Sequence, residues 1–223
     1  MLISDAEGIR YELFTMDALA ETAVMTAEAF VRHEPVFTSM RISPEEFAEF
    51  VKLLFSGAEQ EELTVIARNQ ETGQIIGAMI ADDFAADPPE AFNQPSAKSG
   101  NFGPILAALG EVDTQYKQGR ILTKGEFLHF YLLAVDHRQN GKKIAQHLIQ
   151  ACLDNGIKKG YRTGVVEATC MVSQHIFRKF GFVDRYTVPY KTFEFQGKRI
   201  FESIEGHSGI ILMDKMLVQP VDA

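Results

Sequence analysis

Residues 127–135, Phe-Leu-His-Phe-Tyr-Leu-Leu-Ala-Val, constrain the fold more than any other stretch of this 223-residue chain. The run is almost unbroken in apolar character, as expected of a strand buried on both faces at the centre of a sheet. Directly after it, Asp136-His137-Arg138-Gln139-Asn140-Gly141-Lys142-Lys143 leads into an amphipathic helix with Ile144, Leu148, Ala151 and Cys152 on one face. A strand near Thr163–Thr169 and a helix over Val172–Phe180, closed by Gly181, complete a βαβα unit.

Around this unit the sequence predicts a strand at Gly8–Thr15. A helix follows with Leu19, Ala23, Ala27, Phe30 and Val31 on one stripe, ending at His33-Glu34-Pro35. Ser43-Pro44-Glu45-Glu46 announces a second helix with Phe47, Phe50, Val51, Leu54 and Phe55 inward. Two apolar runs, Leu63–Ala67 and Ile75–Ala81, flank a turn sequence and predict an antiparallel hairpin. A looser stretch at about 84–125, with a helix near Gly103–Gln118, reads as an insertion or lid. Strands around Phe182–Phe195 and Gly206–Met216 close the chain. The order β-α-α-β-β-(insert)-β-α-β-α-β-β predicts one mixed α/β domain over residues 1–223.

Composition narrows the function classes. A net charge of -8 argues against general nucleic-acid binding, which rests on lysine and arginine neutralising phosphates. No run approaches the ~20 apolar residues that a bilayer span requires, and the first residues carry no basic leader, so a cytoplasmic protein is expected. The two cysteines, Cys152 and Cys170, lack metal-site spacing and are expected as reduced thiols. No HExxH, phosphate-binding Gly-rich Lys-Ser/Thr loop or nucleophile elbow is present, so no metal site is expected.

The strand–turn–helix at 133–148 aims free backbone N–H groups and the charges of Arg138, Lys142 and Lys143 at one point, suited to a pyrophosphate. Taken alone, the same residues would also serve a solvated turn. The segment resembles motif A of the GNAT N-acetyltransferase superfamily, in which Arg138 and Gly141 match the pattern and Lys143 replaces its second small residue. The resemblance implies the GNAT fold, an α/β (α+β) arrangement with a mixed, mostly antiparallel twisted sheet of about seven strands. It also implies that Leu133, Ala134 and Val135 pair with the pantetheine arm of acetyl-coenzyme A. Arg138, Gln139, Asn140, Gly141, Lys142, Lys143 and Ile144 would then hold its pyrophosphate.

Further segments carry the same likeness. Ser173–Phe182 resembles the last helix of the superfamily and its terminal Gly-Phe, with Phe177 where many members carry a tyrosine acid. Ser173, one turn earlier, is the substitute that the insect arylalkylamine branch implies; its ordinary role would be a helix cap. Phe30–Phe37 resembles the end of the first helix in insect arylalkylamine and dopamine N-acetyltransferases, which makes Glu34 the implied general base; otherwise it is an exposed acid before Pro35. His129 aligns with a histidine of the proton relay in vertebrate arylalkylamine enzymes, Tyr131 replaces a second, and a satisfied core histidine is the plain alternative.

Together the resemblance implies an acetyl-coenzyme A-dependent N-acetyltransferase, monomer or homodimer, acting by direct attack of a small arylalkylamine-like primary amine. Phe37, Met40, Phe92 and Phe102 are candidates for an aromatic acceptor pocket. The rival readings are acetylation of a protein N-terminus or lysine, and a non-catalytic acyl-coenzyme A-binding regulatory domain.

Overall fold

The computed structural model describes residues 1–55, 58–87, 101–139 and 141–217. Strands β1 (Leu2–Ala6) and β2 (Ile9–Leu13) form a hairpin, then α1 (Leu19–His33), α2 (Pro35–Met40), α3 (Pro44–Leu54) and α4 (Ala58–Glu61) follow. The chain continues through β3 (Val65–Asn69), β4 (Ile75–Asp83), α5 (Gly103–Lys117), β5 (Phe127–Val135), α6 (Ile144–Lys158), β6 (Thr163–Ala168), α7 (Met171–Lys179), β7 (Val183–Pro189) and β8 (Gly209–Met216). All eight strands join one sheet in the order β1-β2-β3-β4-β5-β6-β8-β7. Only β5 and β6 pair in parallel.

The expected α/β architecture stands, with one strand more than expected. β1 escapes the hydrophobic pattern because its residues are mostly exposed; it is held by a turn at Glu7 and Gly8, both with positive φ, which suits a two-residue hairpin. The helix expected from Gly141 starts three residues later, because Gly141 (φ 86°) and Lys143 (φ 52°) are left-handed. Ser43 caps α3 as its sequence predicts, accepting a hydrogen bond from the Glu46 N–H at 3.1 Å. α2, six residues built on Pro35, is too short to leave a periodic signal.

One face of the sheet carries α1, α2, α3 and α5 over a core that includes Phe47, Phe55, Tyr116 and Leu132. The other carries α6 and α7 over Tyr11, Phe130, Leu148 and Phe177. Glycine lets α6 lie close to the strands: a Cβ on Gly156 would come within 2.5 Å of Leu128 Cδ2. α5, the described helix of the insertion, is fixed by its last turn, where the buried Tyr116 hydroxyl donates to Asp214 on β8 at 2.8 Å. Among the described residues no helix is long and apolar enough to cross a membrane. Cys152 and Cys170 are free thiols.

Two irregularities in β5 create the site. Against β4 the register shifts between the pairs Ala81–Phe130 and Ile80–Leu132, so Tyr131 is the extra residue of a bulge. Against β6 the ladder covers only Phe127–Thr163, Leu128–Gly164 and His129–Val165. Beyond that point the two parallel strands splay apart. The peptide groups of 130–135 that point toward β6 are thereby released from the ladder, while β4 still pairs with β5 as far as Val135.

Candidate active site

A cavity of about 250 Å³ fills the splay, with Leu133, Ala134 and Val135 on one wall and Ala168, Thr169 and Cys170 on the other. Free peptide groups along a strand edge are what an extended ligand carrying amides can pair with. At the C-terminal mouth of β5, a 3-10 turn over His137–Gln139 and the left-handed Gly141 and Lys143 lead into α6, whose first-turn N–H groups lack helical acceptors. The turn braces itself: the guanidinium of Arg138 forks onto the buried Asp136 carboxylate at 2.7–3.0 Å, and Lys142 donates to Gln139 Oε1 at 3.0 Å. That pairing holds Asp136 ionised below the usual carboxylate range. Lys143 carries a full charge where the motif has a small residue, and Ile144 is buried beneath the helix start. Asn140 lies outside the described residues. Strand edge, turn and helix start therefore form one continuous surface suited to an acyl carrier with an amide-bearing arm and an anionic head.

Glu34 closes the same cavity from the end of α1. It is 6% exposed, so the sequence alternative of a solvent-exposed acid does not hold. Its Oε2 accepts the Phe37 N–H at 2.8 Å, capping α2, while Oε1 is buried with no hydrogen-bond partner in good geometry among the described residues. Burial pushes its pKa up to about 7 against the N–H groups of Phe37 and Val36 and the side chain of Thr169, which favour the ionised form. A carboxyl poised near neutrality in a cavity has the properties of a general base.

Ser173 lines the cavity too, in the first turn of α7. Its hydroxyl donates to the Cys170 carbonyl at 2.9 Å and accepts from the Cys170 N–H at 3.3 Å, a capping box. The hydroxyl proton is thus already engaged, which weighs against Ser173 as the acid. Phe177 is 1% exposed, wedged edge-on between Phe130 and Phe182, a packing role.

His129 faces the side of the sheet that carries α1 and α5, beside Tyr131 as strand periodicity predicts, with ring centroids 5.4 Å apart. Both its ring nitrogens are taken: Nδ1 meets Asp82 at 2.7 Å and Nε2 meets Glu167 at 2.6 Å. Burial alone would lower its pKa, but the two carboxylates outweigh burial and raise it well above the ordinary value. An imidazolium locked on both sides is poorly placed to relay protons; it organises charge.

A second cavity of about 450 Å³ lies against α5, walled by Leu106, Leu109, Tyr131 and Phe195 and bearing Asp113, His129 and Glu167. Tyr131 and Glu167 line both cavities. Asp113, Glu167 and Asp82 had no motif to reveal them; their only signal is that charged residues stand inside or beside apolar elements. The aromatic pocket expected from Phe37 and Phe102 is not formed: both rings are buried in the α1–α3–α5 core, Phe102 stacked on Phe50 at 4.8 Å. Met40 packs against the same core, and Phe92 lies outside the described residues.

Residues 108–198 match the family model of the acetyltransferase (GNAT) domain. The matched region contains the splayed parallel pair, so this part of the chain is similar to the GNAT N-acyltransferases. No curated protein matches the sequence. Among solved structures, the C-terminal condensation domain of Ebony, in complex with β-alanyl-dopamine, superposes with a TM-score of 0.83 at 12% identity, covering 97% of this chain and 100% of that one. Arylalkylamine N-acetyltransferase 2 from Aedes aegypti gives 0.77 at 19% identity, covering 95% and 100%. Polyamine N-acetyltransferase from Drosophila melanogaster gives 0.77 at 19%, covering 94% and 100%.

Proposed function

We propose that the protein transfers an acetyl group from acetyl-coenzyme A to a small primary amine, with both substrates bound together. The observation that carries this reading is the buried Glu34 carboxyl, near neutral in pKa, lining the same cavity as the unpaired edge of β5. Acetyl-coenzyme A, when bound, supplies a thioester open to attack by an amine. Leu133, Ala134 and Val135 would offer their free peptide groups to its pantetheine arm, and the N–H groups from Gln139 to Ile144 with Lys142 and Lys143 would hold its pyrophosphate. Glu34 would take the proton that the ammonium must lose before its nitrogen can form the new C–N bond as the C–S bond breaks. Ser173 would have to surrender its bond to the Cys170 carbonyl to protonate the leaving sulfur.

The acceptor-side cavity, about 450 Å³ and walled by α5, has the size of a small-molecule pocket and supports a compact amine over a polypeptide. Its apolar walls suit an arylalkyl body. Two free thiols, Cys152 and Cys170, fit a cytoplasmic location. A thiol-release assay with acetyl-coenzyme A and a panel of aryl, alkyl and peptide amines tests the reading. Turnover with small amines is expected. Cofactor binding without turnover over the whole panel would favour a regulatory acyl-coenzyme A-binding domain, and turnover confined to peptides would favour a protein acetyltransferase.

A further inference from the structure

The polar knot around His129 is left unused by the transfer step. His129, on β5, bridges Asp82 on β4 and Glu167 on β6. Asp113, on α5, is within hydrogen-bonding reach of Glu167, and both line the second cavity. Glu167 has a 6% exposed side chain, and among the described residues no N–H or hydroxyl reaches its Oε1 or Asp113 Oδ1, which leaves the two carboxyls as each other's partner. Tyr131 completes the polar wall. Lys117 stands one helical turn from Asp113, 4.0 Å from its Oδ2 and over the Phe84 ring, and Glu61 adds a further carboxyl on the Asp82 side.

The charges do not balance around the cavity. Asp82, Glu167 and Asp113 are three carboxyls gathered about one buried imidazolium. His129 lowers the pKa of Glu167 against the effect of burial, so Glu167 stays ionised. Burial and the Glu167 charge raise Asp113 well above the carboxylate range, despite His129 and Lys117. In the free protein, then, Asp113 retains a proton and shares it with Glu167. A proton held between two carboxyls that line a cavity, one of them buried, occupies the place a bound cation would take.

We propose that this cavity binds a second, non-reacting cationic group of the acceptor, an ammonium or guanidinium, through Asp113 and Glu167. The acceptor is thus a two-ended cation: one amine sits by Glu34 and is acetylated, and the other stays charged against the carboxyl pair. This rests on the acetyl-transfer reading for the reacting end. Tyr131 and Glu167 line both cavities, and one slender molecule would pass beside them, its methylenes against Leu106, Leu109 and Phe195. A cation with two or more N–H donors can replace the shared proton, bond Asp113 Oδ1 and Glu167 Oε1 together and supply the missing charge. A neutral hydroxyl satisfies an oxygen but leaves the charge uncompensated. Entry of the cation leaves Asp113 as carboxylate and releases its proton to solvent.

Two measurements test this. The first compares kcat/KM for α,ω-diamines of increasing length with monoamines in which a methyl replaces the second ammonium. A preference of roughly 10- to 100-fold for the diamine is expected at the best length, the range of a charged hydrogen bond, and Asp113→Asn should bring the ratio toward unity. The second uses the wild-type protein without acyl donor: calorimetry of diamine binding near pH 7 in buffers of different ionisation enthalpy should show proton release, absent with the monoamine. Equal kcat/KM for the two amines, or diamine binding without proton release, overturns the proposal; a preference for hydroxyl-bearing arylalkylamines would then assign the cavity to neutral donors. Proton-releasing diamine binding with no acetylation of any amine would instead sink the acetyl-transfer reading and leave the cation site standing.

Discussion

The two ends of the cleft are built from different materials. The proposed donor end is backbone: the unpaired edge of β5, the left-handed turn at Gly141 and Lys143, and the start of α6. The proposed acceptor end is side chains, with Asp82, Asp113, His129 and Glu167 converging from β4, α5, β5 and β6. A surface made of peptide groups tolerates a lysine where its motif has a small residue, because the donors are the same whatever the side chain. A surface made of buried charges tolerates little, since each partner's removal strands another. Substitutions should therefore hurt in different ways at the two ends.

The largest effect is expected at Glu34, which belongs to neither class alone, being both helix cap and candidate base. Glu34→Gln should lower kcat/KM by ~10²- to 10⁴-fold. Because its pKa is raised to about 7, wild-type kcat/KM should fall as pH drops through that value and the carboxyl gains its proton; the variant should lose this acid limb. An unaltered pH profile in Glu34→Gln would remove the carboxylate from the mechanism.

His129→Phe comes next and should act mainly on stability. It leaves Asp82 and Glu167 without their shared cation, so chemical denaturation should show a loss of about 3–5 kcal/mol. A stable variant that has lost turnover would restore the proton-relay role that the sequence resemblance implies. At the donor end, Gly141→Val should leave the fold intact, since a Cβ there meets nothing within 4 Å, but the φ of 86° is strained for a branched residue. The turn should relax and the rise in Tm with acetyl-coenzyme A, worth about 2.7 kcal/mol at a hundredfold excess over Kd, should largely vanish. The smallest effect is expected at Ser173→Ala, less than about tenfold in kcat, because the hydroxyl proton is held by Cys170. A larger loss would return the acid role to Ser173.

The same contrast explains what was legible in the sequence. The Phe127–Val135 strand, the α6 stripe and the Ser43 cap announce themselves because periodicity and capping are local. Glu34 was found through the segment around it, yet its burial was not, because burial depends on how α2 turns back over it. The bulge at Tyr131 and the short β5–β6 ladder leave no trace in composition; they arise from pairing with strands that are distant in sequence. Asp113 was hidden more completely: it is one acid in a helix, and only the packing of that helix, through Tyr116 onto Asp214, brings it opposite Glu167. Phe37 and Phe102 show the opposite error, aromatic residues that looked available for a ligand and are spent on the core.

Hydrogen exchange with and without acetyl-coenzyme A tests most directly whether the splayed pair is the donor site. Protection is expected in peptides covering 131–146 and 166–173, where the edge of β5, the turn and the facing strand end would be covered, and not along α5. Protection confined to α5 and the second cavity, or none at saturating acetyl-coenzyme A, would contradict the assignment.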